Sequence, residues 1–249
     1  MVGHSKWANI KHKKARADAQ KGQVFTKISR ELMVAAREGG GDEESNFRLR
    51  LAIQKARDVN MPNDNISRAI KKGMGEVDGV KFEEMTYEGY GPGGVAILLE
   101  VMTDNRNRTA SEIRNVFDRH NGNLGESGCV AWMFNRRGYI TLYKDKVDMD
   151  EDDLMLLVLE EGAEDFKSDD NSYEIITEPE FFAEIKDSLL DRKIDIDIAE
   201  VTMVPQNIVK IEEEEEGKML LQLMESLEEH DDVQNVYANF DLPDEVLST

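Results

Sequence analysis

Hydrophobic residues recur at helical spacing over the first third of the chain. Phe25, Ile28 and Leu32 follow one another at intervals of three or four residues, and the pattern stops at the glycine run 39–41. This spacing is typical of one face of an amphipathic helix, and glycine is a common helix terminator. The pattern therefore predicts a first helix that begins near residue 23.

Two shorter helices are predicted downstream. Ser45 is a suitable N-cap for the second helix, which ends before Pro62 because proline disfavours the helical conformation in the residue that precedes it. Asn63 then caps a third helix that stops at Gly73. Together with the polar, basic segment that precedes them, these helices predict an all-helical domain over residues 1–80.

Beyond residue 80 the spacing of apolar residues falls towards two, which indicates strands. The glycine-rich stretch 91–94 predicts a hairpin turn between the first two strands. The predicted strands lie near residues 82–90, 94–103, 129–135, 138–143, 163–168, 172–177, 196–204 and 233–240. The predicted helices lie near residues 107–121, 150–161, 179–191 and 213–230.

The order of these elements predicts the domain organisation. From residue 138 to residue 204 the order is β-α-β-β-α-β, which is the ferredoxin-like arrangement. The predicted fold is therefore multidomain, an N-terminal helical domain followed by two ferredoxin-like α+β domains, the third inserted in the second. The predicted boundaries are 1–80, 81–136 plus 206–249, and 137–205 for the insertion. The alternative is two α+β domains in series.

Charge changes sign along the chain. Residues 1–37 carry nine basic side chains and two acidic ones, and residues 1–80 have a net charge of +6. Residues 81–249 have a net charge of −27, so the whole chain is at −21. A concentrated basic segment indicates contact with phosphate backbones, because Lys and Arg release condensed counterions when they neutralise phosphates. The acidic remainder repels the same polymer and confines contact to one end.

Ten residues of the basic region are the candidate nucleic-acid contacts. The lysines and Arg16 would neutralise phosphates, Trp7 and His12 would stack on bases or pack, and Asn9 would contact a base or sugar. The alternative is a solvated tail, or an arm docked on the acidic domains of this protein. The predicted contacts are Lys6, Trp7, Asn9, Lys11, His12, Lys13, Lys14, Arg16, Lys21 and Lys27.

The predicted third helix carries a second, weaker basic surface. Arg68, Lys71 and Lys72 lie within five positions of one another. A solvated helix face is an equally good interpretation of these three residues.

Other motifs give no catalytic, metal or cofactor site. The glycine-rich stretch 122–128 follows a predicted helix, whereas phosphate-binding loops follow a strand and open a helix. The acids at 148–153 lack the glycine and the closing glutamate of a calcium loop, so helix capping is favoured. Cys129 is the single cysteine of the chain, so an intrachain disulfide is excluded. We expect it to be a buried, inert thiol in a strand. We expect a non-enzymatic protein with neither metal nor cofactor nor small-molecule substrate.

Targeting signals are not evident in the sequence. No apolar run resembles a signal peptide, and no stretch approaches the roughly 20 apolar residues of a membrane span. The composition therefore predicts a soluble, cytoplasmic protein without a membrane partner.

Several motifs resemble the YebC/PmpR family, which includes the mitochondrial translational activator of cytochrome c oxidase subunit I. The N-terminal motif is the most specific of them, and the resemblance spans the chain. The matching stretches are GHSKWANIKHKK at 3–14, NDNI at 63–66, AIKKG at 69–73, YEGYGPGG at 87–94, TDNRNRT at 103–109, Gly125 and WMF at 132–134.

The resemblance implies a helical domain and two α+β domains around an acidic cavity. It also implies a regulator of gene expression of the DNA-binding transcriptional type. The alternative that it implies is a ribosome-associated translation factor that binds ribosomal or transfer RNA and assists synthesis of proline-rich stretches. For 91–94 and 106–108, which match the family, we expect structural or interfacial roles.

Overall fold

The computed structural model describes residues 21–76 and 81–243, and it is an α+β fold with an N-terminal helical part. The helices are α1 (Lys21–Gly39), α2 (Phe47–Asp58), α3 (Asn63–Gly73), α4 (Arg106–Arg119), α5 (Glu151–Glu160), α6 (Phe182–Asp191) and α7 (Glu214–Glu228). The strands are β1 (Glu83–Tyr90), β2 (Ala96–Thr103), β3 (Asn123–Leu124), β4 (Phe134–Tyr143), β5 (Ala163–Ser168), β6 (Ser172–Thr177), β7 (Ile198–Pro205), β8 (Val209–Lys210), β9 (Val233–Ala238) and β10 (Phe240–Asp241).

The three predicted N-terminal helices are confirmed, with a correction to the caps. The N-cap of α2 is Asn46, whose side chain accepts a hydrogen bond from the backbone N–H of Leu49. Ser45 instead donates to the carboxylate of Asp42. The residue before α3 is Pro62, so Asn63 is the first helical residue rather than the cap. Both differences are a shift of one position.

The helical part packs its three helices around one apolar core. Leu32 of α1, Leu49 and Ile53 of α2, and Ile66 of α3 contribute buried side chains. The close approach of α3 to α1 depends on Gly73, since a Cβ at this position would lie 2.4 Å from the backbone oxygen of Met33. A side chain there would force the two helices apart.

The first sheet has the strand order β3-β1-β2-β9. The predicted hairpin between β1 and β2 is confirmed, with Tyr90 opposite Ala96 across the turn. Helices α4 and α7 cover the sheet, and Phe117 of α4 and Leu223 of α7 are fully buried in the shared core. The sheet therefore joins strands from two distant parts of the sequence, since β9 lies more than 100 residues after β2.

The described chain divides into two compact units, of which one comprises residues 21–131 with 209–243 and the other residues 132–208. The second unit has a four-stranded antiparallel sheet in the order β5-β6-β4-β7. Its core includes Ile140 and Ile175 of the sheet and Leu154 and Ile185 of α5 and α6. The predicted domain boundaries remain predictions.

One strand prediction was wrong. The predicted strands near 129–135 and 138–143 are a single strand, β4, which a short 3₁₀ turn, Ala131–Met133, precedes. The sequence suggests a break at Gly138, but Gly138 pairs with Thr177 on one side and Val201 on the other. Pairing on both edges keeps the glycine extended.

Seven α-helices lie in the described part of the chain. None of the helices in that part of the chain combines the length and the apolar character that a membrane span requires.

Candidate functional site

Most of the predicted nucleic-acid contacts lie outside the described residues. This group is Lys6, Trp7, Asn9, Lys11, His12, Lys13, Lys14 and Arg16. Lys21 is the first residue of α1, and its side chain also lies outside the description. Their predicted role stays a prediction. Lys27 is the member of the set whose side chain is described.

Lys27 points towards the C-terminus of helix α7. Its ammonium group donates a hydrogen bond of 2.6 Å to the backbone oxygen of Glu228, the last residue of α7. Gln23, one turn earlier on α1, donates to the backbone oxygen of Glu229 at 3.2 Å. Carbonyls at a helix C-terminus lack partners within the helix and carry partial negative charge, so a lysine here is stabilising. Lys27 thus has an intramolecular role in this structure.

A buried carboxylate, Asp232, joins the helical part to the first sheet. Arg30 of α1 donates to Asp232 Oδ1 at 2.8 Å, and it also bonds the backbone oxygen of Asp231. Arg108 of α4 donates to Oδ2 at 2.8 Å, and the hydroxyl of Thr109 donates to the same atom at 2.6 Å. We call this group of Arg30, Arg108, Thr109 and Asp232 the Asp232 junction.

The junction favours the ionised form of Asp232. Burial by itself raises the pKa of this carboxyl, but hydrogen bonds from Thr109, Arg108 and Thr103 and the charge of Arg30 outweigh burial. The pKa of Asp232 therefore lies below its ordinary value. A charged carboxylate with two arginines holds three segments that are distant in the sequence.

A cleft of about 580 Å³ opens beside the Asp232 junction. His230 and Glu112 lie on its wall, and their side chains are 3.0 Å apart. Because Nδ1 of His230 accepts a hydrogen bond from the backbone N–H of Asp232, the proton of the neutral ring lies on Nε2 and is donated to Glu112.

The side chains of Glu112, His230 and Asp232 are close enough together to hold a metal ion. The contacts argue against that use. Both oxygens of Asp232 accept hydrogen bonds from protein donors, and the guanidinium of Arg108 lies 3.9 Å from Glu112. A cation would have to displace an arginine, so we assign no metal to this cluster.

Helix α3 presents the most concentrated set of exposed cations in the helical part. Arg68, Lys71 and Lys72 are exposed, and their side chains make no hydrogen bond or ion pair within residues 21–76 and 81–243. The opposite face of α3 is buried through Ile66 and Ala69. We call Arg68, Lys71 and Lys72 the α3 basic face.

The other described cations of the helical part are engaged with protein groups. Arg48 pairs with Glu38 and Glu84, and Lys55 pairs with Glu31 at 3.0 Å. Engaged in this way are Lys27, Arg30, Arg37, Arg48, Arg50, Lys55 and Arg57. The α3 basic face is therefore distinguished by its charge and by its lack of partners among the residues that the structure describes.

The glycine-rich stretch 122–128 connects α4 to the Ala131–Met133 turn, as its context in the sequence indicates, and it includes the short strand β3. The buried carboxylate of Glu88 accepts hydrogen bonds from the backbone N–H groups of Gly128, Val130 and Ala131, at 2.6–2.7 Å. Although burial raises the pKa of Glu88, these three bonds outweigh burial and lower it. An internal carboxylate thus satisfies the amides that a phosphate would need.

Cys129 follows this loop, and the prediction that it lies in a strand was wrong. It precedes the Ala131–Met133 turn and is partly rather than fully buried. Burial, followed by the charge of Glu88, raises the pKa of its thiol. A raised pKa disfavours the thiolate and agrees with the inert thiol that we expect.

The predicted capping role of the acids before α5 is confirmed, whereas no side chain of the described residues caps the start of α7. The side chain of Asp150 accepts from the backbone N–H of Asp152 at the start of α5. The glutamates 214–216 occupy the first turn of α7, where negative charge is stabilising.

Sequence reasoning missed the Asp232 junction. Arg108 lay in a stretch, 106–108, for which we expected a structural or interfacial role, but no sequence signal connected it to Asp232, 124 residues later. A run of charged residues after a helix such as α7 is typical of a solvated turn. Only the three-dimensional contacts distinguish Asp232 from the acids around it.

Comparisons with known proteins place this geometry in a family. Residues 5–76 match the model of the TACO1/YebC protein N-terminal domain, and residues 82–240 match that of the TACO1/YebC second and third domain. A probable transcriptional regulatory protein of Natranaerobius thermophilus is 62% identical, covering 100% of both chains. One of Desulfitobacterium hafniense is 57% identical over 99% of this chain and 98% of its own.

A solved structure supports the same assignment. The crystal structure of a conserved hypothetical protein from Aquifex aeolicus is 48% identical, with a TM-score of 0.77, and covers 92% of this chain and 93% of its own. Two family models together match most of the chain, and relatives are similar over nearly its whole length. The chain therefore belongs to the TACO1/YebC family, and its relatives from Natranaerobius thermophilus and Desulfitobacterium hafniense are called probable transcriptional regulatory proteins.

Proposed function

We propose that this protein is a non-enzymatic regulator of gene expression that binds nucleic acid through its basic N-terminal part. The specific form of the proposal is a DNA-binding transcriptional regulator. The cations of the leader, from Lys6 to Arg16, would bind phosphates, with Trp7 and His12 in contact with bases.

The observation that carries the proposal is the separation of charge. Residues 1–80 are at +6 and residues 81–249 at −27. A polyanion is attracted to the first region and repelled by the second, so the field of the chain both selects and orients a nucleic acid. The names of the bacterial relatives support a regulatory role in general.

The proposed absence of catalysis rests on how the titratable groups are used. In the described residues, Glu88 and Asp232 are buried carboxylates with lowered pKa values, and protein donors satisfy both. Each carboxylate stabilises a contact between segments of the fold. Neither is poised to transfer a proton near neutral pH, which is the usual requirement for general acid or base catalysis.

The test is a binding assay of the full chain with three targets, which are a promoter DNA duplex, a scrambled DNA duplex and ribosomes. Lys11, Lys13 and Lys14 are changed to Glu, and the matched control changes Lys81, Lys193 and Lys210 to Glu. The control lysines are exposed and make no side-chain hydrogen bond or ion pair within the described residues. Both variants replace three lysines by glutamates, so they have the same net charge. We expect the leader variant to lose binding and the control to retain it.

The targets decide the type of regulator. Binding to one promoter duplex at least ~10³-fold more tightly than to scrambled duplex supports a DNA-binding transcriptional regulator. Equal affinity for both duplexes, together with co-sedimentation with ribosomes, contradicts that form and supports the translation-factor alternative. If the wild-type chain binds none of the targets at low salt, the proposal is wrong.

We also propose the finer domain arrangement, with two ferredoxin-like domains and the third inserted in the second. Its support is that strands of 83–124 and 233–238 share one sheet, whereas strands of 134–205 form another. Expression of residues 132–208 alone tests it. A cooperative unfolding transition is expected for an independent domain, and a chain without one would contradict the arrangement.

A further inference from the structure

We propose that the α3 basic face, Arg68, Lys71 and Lys72, is a second phosphate-binding surface, on the folded part of the protein. It binds the backbone of the nucleic acid that the leader engages, so it rests on the proposed function. The chemistry that it recognises is a row of phosphodiester groups, in either DNA or RNA.

The geometry of the helix places the three cations together. With 3.6 residues per turn, positions 68, 71 and 72 fall within about 100° of the helix circumference. Ile66 and Ala69 occupy the buried side of the same helix. The three charges therefore face solvent as one surface, at a spacing that lets neighbouring phosphates be neutralised together.

This surface is fixed in orientation. Gly73 allows the end of α3 to approach α1 so closely that a Cβ would lie 2.4 Å from the oxygen of Met33 and 3.0 Å from the Cβ of Ala36. A helix held this tightly presents its charges at defined positions. Binding to it therefore costs little conformational entropy.

Helix stability alone does not explain all three cations. Lys71 and Lys72 lie in the last turn of α3, where positive charge is favourable with the helix dipole. Arg68 is one turn earlier, and its charge lies at i,i+3 and i,i+4 from the lysines, which repels them by a few tenths of a kcal/mol. The acid on α3, Asp64, lies four positions before Arg68, which is a favourable spacing, but the two side chains form no ion pair within the described residues. Phosphate groups bound at this face would offset the repulsion between Arg68 and the two lysines.

Helix α4 provides a comparison within the same unit. Arg106, Arg114 and Arg119 are also exposed and make no side-chain hydrogen bond or ion pair within the described residues. Arg106 and Arg114 are two turns apart along the helix, about 12 Å, and Arg119 points about 140° away from Arg114. Asp118 and Glu112 lie between them. These arginines do not form a single surface, and they supply the control for the experiment.

The test measures affinity as a function of salt for a labelled 24-base-pair DNA duplex and an RNA duplex of the same length. One variant changes Arg68, Lys71 and Lys72 to Gln, and the control changes Arg106, Arg114 and Arg119 to Gln. Both lower the net charge by three, and Gln preserves helix propensity. A urea unfolding curve of each variant confirms that it folds.

We expect the α3 variant to bind at least about ten-fold more weakly than wild type at moderate salt. The slope of log K against log salt should also decrease in magnitude by about 2–3, since each phosphate contact contributes about 0.9 to that slope on duplex DNA. The control variant should shift both quantities much less. A decrease on DNA alone or on RNA alone identifies the source of the phosphates and supports the surface.

Two outcomes overturn the inference. If the α3 variant and the control have the same affinity and slope while the leader variant loses binding, the α3 basic face is a solvated helix face and the proposed function stands. If wild-type protein binds neither duplex, the proposed function fails and the inference fails with it.

Discussion

Helices α1 and α3 both carry basic residues that could face solvent according to the sequence, but these residues make different contacts in the structure. On α1, Lys27 bonds the end of α7 and Arg30 bonds Asp232. On α3, Arg68, Lys71 and Lys72 contact no partner within the described residues. The two helices pack against each other in one core, so the difference lies in what each outer face meets.

This comparison shows that the positive charge of the helical part has two functions. The α1 cations stabilise the contact between the helical part and the α+β part of the same unit. The α3 cations contribute little to internal contacts and are available to a partner. The predictions below separate these functions by measuring stability and nucleic-acid binding on the same variants, in order of expected change in stability.

The largest loss of stability is expected for Asp232→Ala. The side chain of Arg30 is almost buried, and this change removes its carboxylate partner. Removing one partner of a buried ion pair costs about 3 kcal/mol. The measurement is the free energy of unfolding from a urea titration. Asp104→Ala is the control, because Asp104 pairs with Arg108 at the surface and its removal should cost less than about 1 kcal/mol. Equal losses for the two variants would show that the Asp232 junction has no special role.

The same carboxylate predicts a pH dependence. The pKa of Asp232 is lowered in the folded protein, so its stabilising contribution is present above the unfolded value and is lost as pH falls through the folded pKa. Wild-type stability should therefore decline on acidification. In Asp232→Asn the decline should be shallower, with lower stability at neutral pH. Unfolding curves between pH 7 and the acid range test this, and parallel declines would contradict it.

An intermediate loss is expected for Lys27→Met. Methionine keeps an apolar stem of similar length but removes the bond to the backbone oxygen of Glu228 and the charge near the end of α7, together worth about 1 kcal/mol. Nucleic-acid affinity should stay close to that of wild type. The predicted phosphate-binding role of Lys27 requires the reverse result, a loss of affinity with unchanged stability.

The smallest change in stability is expected for the variant with Gln at 68, 71 and 72. These side chains have no partner to lose within the described residues, so the free energy of unfolding should stay within about 0.5 kcal/mol of wild type. The urea midpoint measures it. A loss as large as that of Lys27→Met would show that the α3 basic face also holds the fold and would remove the contrast between the helices.

The element pattern was largely predictable because it depends on local rules. The caps of α4 and α5, Asn105 and Asp150, and the β1–β2 hairpin follow from residue type and spacing. The caps of α2 and α3 were wrong by one position, and the errors in the strands occurred where pairing overrides local preference. Gly138 remains in β4 because it bonds on both sides, and the two-residue strands β3, β8 and β10 form only where a neighbouring strand is present.

The candidate site was predictable in part. The sign of the N-terminal charge and the basic residues of α3 are direct properties of the sequence. The role of Lys27 was not, since a lysine on an amphipathic helix looks the same whether it faces solvent or the end of another helix. The Asp232 junction was also invisible, because its members come from α1, α4 and the turn before β9.

The sequence by itself determined the helices, most of the strands, the separation of charge and the resemblance to a family, because each depends on residues that are near one another or on a simple sum. Only the tertiary structure decided which charges are internal and which are available. That decision depends on distances between residues up to 202 positions apart, such as Arg30 and Asp232, and on the burial that makes such a contact strong.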